Sequence, residues 1–460
     1  MKQQQTTRSV QQNMLFNTVG SILYYFCVWL SSVLIVRMSG FTDAGIFSVA
    51  MTVTASPAII ALFNVRSYQV SDINGQYSDR TYIRSRVVTN ALAFAVCAVM
   101  VLLYGYDLQK AAVVLVYMVF KLVEGAADVY YGIDQKMARL DYAGISLSVR
   151  GVGSLAAFIG VFFLTKSLLA SVAGMTVVSL LVVVFYDKKI AMRLSEEKNT
   201  ECGISSAHDI NVPNASSIEA NLHGENACGV NFHDENLKAE KAHDKKDDYT
   251  AVKSLLITCL PLAIVAFLNN LSLTVPRTYL ERFYGEEVMG YYASVSSPTI
   301  VIQLAAMTLF APLVPILTQK YVEKNKKDFL KILGKFTALI AALTVLAIIL
   351  CELLGDWALR LVFGDEIGPY VYLFLPIILS AVLIAVNASL FSICTLMRII
   401  KPQYTIGIAG FLSAIICSYT VVRTNSMDGV VWALFISLLI QIAIQLVLII
   451  HGLRKHMRSA

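Results

Sequence analysis

The chain predicts an all-α polytopic membrane protein, with about twelve transmembrane helices in two pseudo-symmetric six-helix bundles around a central cavity. Three observations lead there. Of 460 residues, 57% are hydrophobic and only 15% charged, outside the range of soluble globular domains. Apolar runs long enough to cross a bilayer recur about twelve times. One long polar stretch, residues 187–251, divides those runs into two sets of six.

The N-terminal lobe, 1–186, holds spans near 14–36, 44–65, 87–104, 110–131, 144–164 and 168–186. The C-terminal lobe, 252–460, holds spans near 252–274, 288–313, 332–353, 369–395, 403–422 and 429–451. The first run is long enough to span and lacks a small-residue cleavage pattern, so it is expected to remain as the first helix. Alternate loops differ in basic content. One set carries Lys2 and Arg8; Arg80, Arg84 and Arg86; Lys136 and Arg139; Lys188, Lys189 and Arg193; Lys320, Lys324, Lys326 and Lys327; Arg398 and Lys401; and Arg454, Lys455 and Arg458. The other set has Arg37, Lys110, Lys166, Arg277, Arg282, Arg360 and Arg423. The positive-inside rule then places both termini and the polar linker 187–251 in the cytoplasm. The net charge of +6 reads as this loop asymmetry, and no nucleic-acid partner is expected.

The two halves repeat one another. Arg37-Met-Ser-Gly40-Phe-Thr-Asp-Ala-Gly45-Ile-Phe47 follows the first span, and Arg282-Phe-Tyr-Gly285-Glu-Glu-Val-Met-Gly290-Tyr-Tyr292 follows the seventh. Both read R-x-x-G-x-x-x-x-G and lead toward a proline, Pro57 and Pro298. A duplication by an even number of spans gives copies of one orientation, related by an axis along the membrane normal.

Charges inside apolar spans cost about 2.5–3.5 kcal/mol at mid-bilayer, so they are functional candidates. The fourth span carries Lys121, Glu124 and Asp128 on one helical face, where Glu124 can pair with Lys121. A structural ion pair between helices is the plainer reading. The functional one is that Lys121 holds an anionic group while Glu124 or Asp128 changes charge with a coupling cation. Asn269, Asn270, Ser272 and Thr274, followed by Pro276 and Arg277, interrupt an otherwise apolar seventh span, as expected of a helix that lines a wet cavity. Arg277 either closes that polar face or snorkels to the headgroups. Arg66, at the end of the second span, suits a phosphate contact or an ordinary membrane anchor. Asn387, Gln303, Gln441 and Gln445 read as interhelical hydrogen bonds.

No Walker A, G-x-S-x-G or H-E-x-x-H sequence is present, so the residues point away from an enzyme and from cofactor chemistry. Six cysteines lie in or beside apolar runs, where cysteine packs as a small hydrophobe. Cys202 and Cys228 share the linker with His208, His223, His233 and His243 at spacings that match no compact zinc site.

The segments Arg66-Ser-Tyr-Gln-Val-Ser-Asp72, Lys121 through Gln135, Arg139-Leu-Asp141-Tyr-Ala-Gly144-Ile-Ser146 with Arg150-Gly151, and Val275-Pro276-Arg277 with Gly285 and Gly290 resemble polysaccharide-biosynthesis flippases of the Wzx type. These belong to the larger group that includes multidrug and toxin extruders and lipid II flippases. The resemblance covers essentially the whole chain. It implies two six-helix bundles around a cavity in the bacterial plasma (inner) membrane. It also implies translocation of undecaprenyl-pyrophosphate-linked oligosaccharide repeat units for capsule, O-antigen or exopolysaccharide synthesis. On that reading Arg66, Lys121, Asn269, Asn270 and Arg277 meet the pyrophosphate or sugars, Glu124 and Asp128 couple to an ion gradient, and the polyprenyl tail stays among the membrane lipids. The long linker would tether the lobes or dock a polysaccharide polymerase or glycosyltransferase.

Two other classes compete. A cation-coupled multidrug extruder calls for acidic cavity residues, which Lys121, Arg66 and Arg277 argue against. A membrane glycosyl polymerase or ligase calls for a large external loop, and every loop expected outside is short.

Overall fold

The computed structural model describes residues 10–72, 75–196, 237–300, 302, 310, 313–397, 399 and 401–458. The first lobe comprises α1 (Val10–Ser39), α2 (Phe41–Leu62), the short α3 (Val65–Ser71), α4 (Asp79–Tyr104), α5 (Leu108–Lys136), α6 (Leu140–Thr165) and α7 (Leu168–Val182). A π-helical turn, Val183–Asp187, carries α7 onward, and the chain stays helical to residue 196. The second lobe holds α8 (Leu237–Ser296), α9 (Leu313–Val322), α10 (Lys326–Phe363), a 3₁₀ segment (Asp365–Leu373), α11 (Phe374–Leu396), α12 (Gln403–Cys417), a π-helical turn (Ser418–Val422) and α13 (Arg423–Arg458).

Among the described residues, nine helical stretches are long and apolar enough to cross a membrane. Two of them, Tyr249–Ser296 and Gln403–Arg454, have 48 and 52 residues and break at Gly285 and Ser426. Counting both halves of the second, and α5 despite its charges, gives eleven spans among the described residues. The chain is a multi-pass membrane protein. The expected span 288–313 is described only in part, and Gln303 and the linker cysteines Cys202 and Cys228 lie outside the described residues.

Within the first lobe α1 packs on α6, α6 on α7, and α2, α4 and α5 on one another. In the second, α8 packs on α12 and α13, and α11 on α13. The lobes meet chiefly where α2 crosses α8. This explains why α2 is 67% buried whereas α4, which faces outward, is 22% buried. One apolar core runs across the junction, joining Ile35, Phe47, Val49 and Tyr117 to Leu280, Met289, Tyr292 and Val295.

The sequence repeat is a structural repeat. Gly40 and Gly285 adopt the same conformation, φ +90 with ψ −176 and φ +85 with ψ −178, which side chains disfavour. A Cβ on Gly45 would fall on the Glu286 carbonyl oxygen, and one on Gly290 would fall on that of Phe41. Because 45 pairs with 286 as 290 pairs with 41, the crossing is two-fold symmetric. Pro57 and Pro298 differ in placement, however. Pro57 lies inside α2, whereas Pro298 sits in the turn after α8 ends at Ser296.

One further expectation is revised, and the polar stretch of the seventh span stays helical. Hydroxyls of Ser272, Thr274 and Thr278 donate to the carbonyls of Asn269, Asn270 and Thr274 at 2.7, 3.2 and 3.1 Å, so these three hydroxyls are satisfied within the helix. The non-helical residue is Gly285. The revised expectation is that of Arg86, which is no loop residue: α4 begins at Asp79, capped by Ser78 (Oγ 3.2 Å from Thr81 N), and Arg86 lies within it, 2% exposed.

Asp72 ties the end of α3 to α4. It accepts from the amides of Gln76 and Tyr77 at 2.8 and 3.2 Å and from the Tyr82 hydroxyl at 2.8 Å. Burial pushes its carboxyl up, but these donors and Lys136 outweigh burial and hold it below the usual carboxylate range. A depressed acid stabilises the fold at neutral pH and loses that contribution as pH falls through its folded pKa. Asp72→Asn is therefore expected to cost about 1–2 kcal/mol near neutrality and less in acid, read by thermal unfolding in detergent. The same loss at both pH values would contradict this.

Candidate functional site

Two polar sites lie within the membrane-spanning region. The first is a cavity of about 300 Å³ between the lobes, lined by α1, α2, α8, residues 297–300, α11 and α13. Trp29 on α1 donates from Nε1 to Ser297 Oγ at 3.1 Å, and Ser56 on α2 donates to Asn270 Oδ1 at 2.9 Å, so each bond crosses between lobes. Hydroxyls dominate the polar lining, including Ser48, Thr52, Thr274 and Ser294. Arg277 brings a cation into this lining, and among the described residues no Asp or Glu lines the cavity with it. Its guanidinium lies 5.7 Å from the Tyr292 ring centre, and its Nε has no hydrogen-bond partner. Such a charge favours an anionic ligand. Arg277 thus lies on the cavity wall. Asn269 is not among the lining residues, and its Oδ1 is buried without a partner.

The second site is built on α5. Spacing of three residues brings Lys121 Nζ to 2.8 Å from Glu124 Oε2 as the helix requires. The Tyr24 hydroxyl from α1 donates to the same carboxylate. Asp128, one turn on, looks away from Glu124. It accepts from Arg86 Nη2 at 2.8 Å and from Arg66 Nη1 at 3.3 Å. Arg66 also donates to Gln135 Oε1, from Nη2 at 3.0 Å. Arg86 is further held by the carbonyls of Ala61 and Leu62 at 2.5 and 2.6 Å, where α2 ends.

Three cations, Lys121, Arg66 and Arg86, thus surround two carboxylates, Glu124 and Asp128. Arg86 is sealed away, but the side chains of Lys121 and Arg66 are 23% and 31% exposed, enough to reach a ligand. The structure therefore separates the candidate residues into two groups. Asn270 and Arg277 share the cavity, and Arg66, Lys121, Glu124 and Asp128 share the α5 cluster.

Sequence reasoning missed Trp29, Tyr24 and Arg86. It quoted Arg150 without using it, although a cation inside the expected span 144–164 was itself a signal. It also missed a seal at the glycine-bearing end of the lobes. There Lys110 Nζ lies 2.6 Å from both Glu281 Oε1 and Glu286 Oε1, and Arg37 donates from Nε to the Val362 carbonyl at 2.7 Å. Phe41 stacks on Tyr291 with ring centres 4.0 Å apart. In the second lobe Gln445 Nε2 donates to Asn387 Oδ1 at 3.0 Å and Gln441 Nε2 to Ser272 Oγ at 3.1 Å, the interhelical role expected of them.

Comparison with known proteins gives a sequence relative and a fold. The chain is 24% identical over 430 residues to the capsular polysaccharide biosynthesis protein CapF of Staphylococcus aureus, covering 93% of this chain and 96% of that protein. No family model matches it. Among solved structures, the multidrug transporter DinF-BH superposes with a TM-score of 0.63 at 13% identity, covering 98% of each chain. The lipid II flippase MurJ in an inward closed conformation gives 0.60 at 12% identity, covering 96% of this chain and 90% of that one. The transporter VcmN of Vibrio cholerae gives 0.60 at 12% identity over 98% and 97%. The chain has the fold of these membrane transporters.

Proposed function

We propose that this protein is a flippase that carries an undecaprenyl-pyrophosphate-linked oligosaccharide from the cytoplasmic to the outer leaflet of a bacterial plasma membrane by alternating access. The observation that carries the reading is the inter-lobe cavity, which offers Arg277, a tryptophan and many hydroxyls and, among the described residues, no carboxylate. A sugar pyrophosphate presents anionic oxygens, hydroxyls and apolar ring faces, and that lining complements all three. A cationic drug would meet a charge of its own sign there. The near full-length similarity to a capsular polysaccharide biosynthesis protein supports the same class.

In this reading residues 1–186 and 252–460 are the moving lobes, joined by the linker 187–251, with both termini cytoplasmic. The glycine-bearing end is the outer one, so its seal marks an inward-facing state. Arg66 and Lys121 take the headgroup first. Their present partners, Asp128 and Glu124, compete with phosphate for them, which gives the two carboxylates a natural place in ion coupling. The headgroup then moves to Arg277 and Asn270, with Asn269 behind, while the tail stays in lipid.

Reconstitution into proteoliposomes tests this. A fluorescent undecaprenyl-pyrophosphate oligosaccharide should become accessible to a membrane-impermeant glycosidase faster than in empty vesicles. Lys121→Ala should slow that exposure about tenfold, the effect of one charged hydrogen bond. No acceleration with several glycans, together with ion-dependent efflux of a cationic dye, would transfer the protein to the drug extruders.

A further inference from the structure

Behind the α5 cluster lie two acidic groups that the proposed transport path does not use. Asp134 near the end of α5 and Asp187 in the π-helical turn after α7 are each 4% exposed. Asp134 Oδ1 and Asp187 Oδ2 have no hydrogen-bond partner among the described residues. Their elements are packed together: Tyr131 contacts the cluster around Val183, and Ile133 packs with Ala191 and Leu194. The two carboxylates interact through space. Other charged or titratable groups around them are Arg66 from α3, Tyr130 on α5, Arg139, Asp141, Tyr142 and Arg150 on or beside α6, and Tyr186 on the π turn. Asp141 pairs with Arg139 at 3.1 Å, so these two largely cancel.

A polar chain links this pair to Glu124. Ser146 lies beside Asp187, lowering the cost of its charge, and 2.9 Å from the Tyr131 hydroxyl. Arg150, 1% exposed, donates from Nη1 to that hydroxyl at 3.1 Å and from Nε to Ser179 Oγ at 3.1 Å, and its Nη2 has no partner. Its guanidinium lies 5.3 Å from the ring centre of Tyr24, whose hydroxyl donates to Glu124. Arg150 thus attracts both Asp187 and Glu124.

We propose that Asp134 and Asp187 form a proton-binding site that controls the Lys121–Glu124 pair through Arg150. Two neighbouring buried carboxylates, each with an unpaired oxygen, are costly when both are ionised. One proton relieves the repulsion and turns one acceptor into a donor. No group of three His, Cys, Asp or Glu side chains suited to a metal ion occurs among the described residues, and the pair suits a proton better. Arg150 keeps its own proton, so the link is electrostatic. When the acid pair gains a proton, more of the Arg150 charge is left to neutralise Glu124. Glu124 then holds Lys121 less strongly, and Lys121 is freed for an anionic headgroup. Anion affinity therefore rises as pH falls through the titration of the pair. This rests on the flippase reading for the identity of the anion, but not for the proton site.

The test uses purified full-length protein in detergent, with inorganic pyrophosphate as probe and intrinsic tryptophan fluorescence as readout. Wild type should bind about tenfold more tightly at mildly acidic than at alkaline pH, the scale of one charge acting across a partly polar interior. Asp134→Asn and Asp187→Asn should each lose that dependence and bind near the acidic-limit affinity, because asparagine mimics the protonated acid. A merely structural role would lower Tm and leave the pH dependence in place. Infrared spectra should show a protonated-carboxyl band in wild type that weakens in either variant. Unchanged pH dependence in both variants, or a band insensitive to both, overturns the proposal. If wild type ignores pyrophosphate at every pH, the headgroup reading falls, and the infrared band still decides the proton site.

Discussion

Arg277→Ala is expected to slow headgroup translocation about thirtyfold or more, corresponding to at least about 2 kcal/mol for one charged contact in a sheltered site. The size follows from position. The guanidinium faces the cavity with no carboxylate among the described lining residues, so a bound anion need not compete with an internal carboxylate for it. Arg277→Lys should recover only part of the rate, since an ammonium cannot make the planar, two-pronged contact that suits phosphate. The fold should survive: Arg277 makes no ion pair among the described residues, and the alanine variant should keep its Tm within a few degrees. Full activity in Arg277→Ala would show that the headgroup does not pass through this cavity.

Gly290→Leu should open the seal at the glycine-bearing end, the outer one in the proposed orientation. A side chain there would collide with the Phe41 carbonyl, and the symmetric change Gly45→Leu would collide with that of Glu286. Backbone against backbone cannot yield as a flexible side chain can, so about 3 kcal/mol of destabilisation of the closed arrangement is expected. That shifts a two-state equilibrium by roughly a hundredfold toward states in which α2 and α8 have separated. Cysteine introduced at Ser297, in the cavity lining, should then react faster with a membrane-impermeant maleimide added from outside. Because the crossing is two-fold symmetric, the two leucine variants should behave alike. A strong effect from only one would mean that the repeat is geometric but not mechanical. Unchanged labelling in both would remove the glycine crossing from the gating motion.

The helical architecture was legible because its causes are local or periodic. An apolar run of sufficient length must satisfy its backbone within a helix wherever it sits in the bilayer, so twelve spans could be read by their hydropathy. The repeat was legible for a similar reason. Gly40 and Gly285 share a conformation that only glycine adopts cheaply, and Gly45 and Gly290 leave room for a neighbouring backbone, so the chemistry of the residue shows at both places. The Lys121–Glu124 pair needed only helix geometry.

What the sequence by itself determined is therefore the set of membrane helices, their two-fold duplication and the presence of charges that do not belong in lipid. Tertiary structure alone decided the partners of those charges. Asp128 meets Arg66 and Arg86, which are 62 and 42 positions away, and the expected place of Arg86 in a loop had hidden it. Likewise Arg277 could have faced lipid headgroups or protein until the crossing of α2 and α8 built a cavity beside it. The physical reason is the range of the forces. Hydropathy and helix periodicity act between neighbours in sequence, whereas the cost of a buried charge is met by whichever opposite charge the packing brings within a few ångströms.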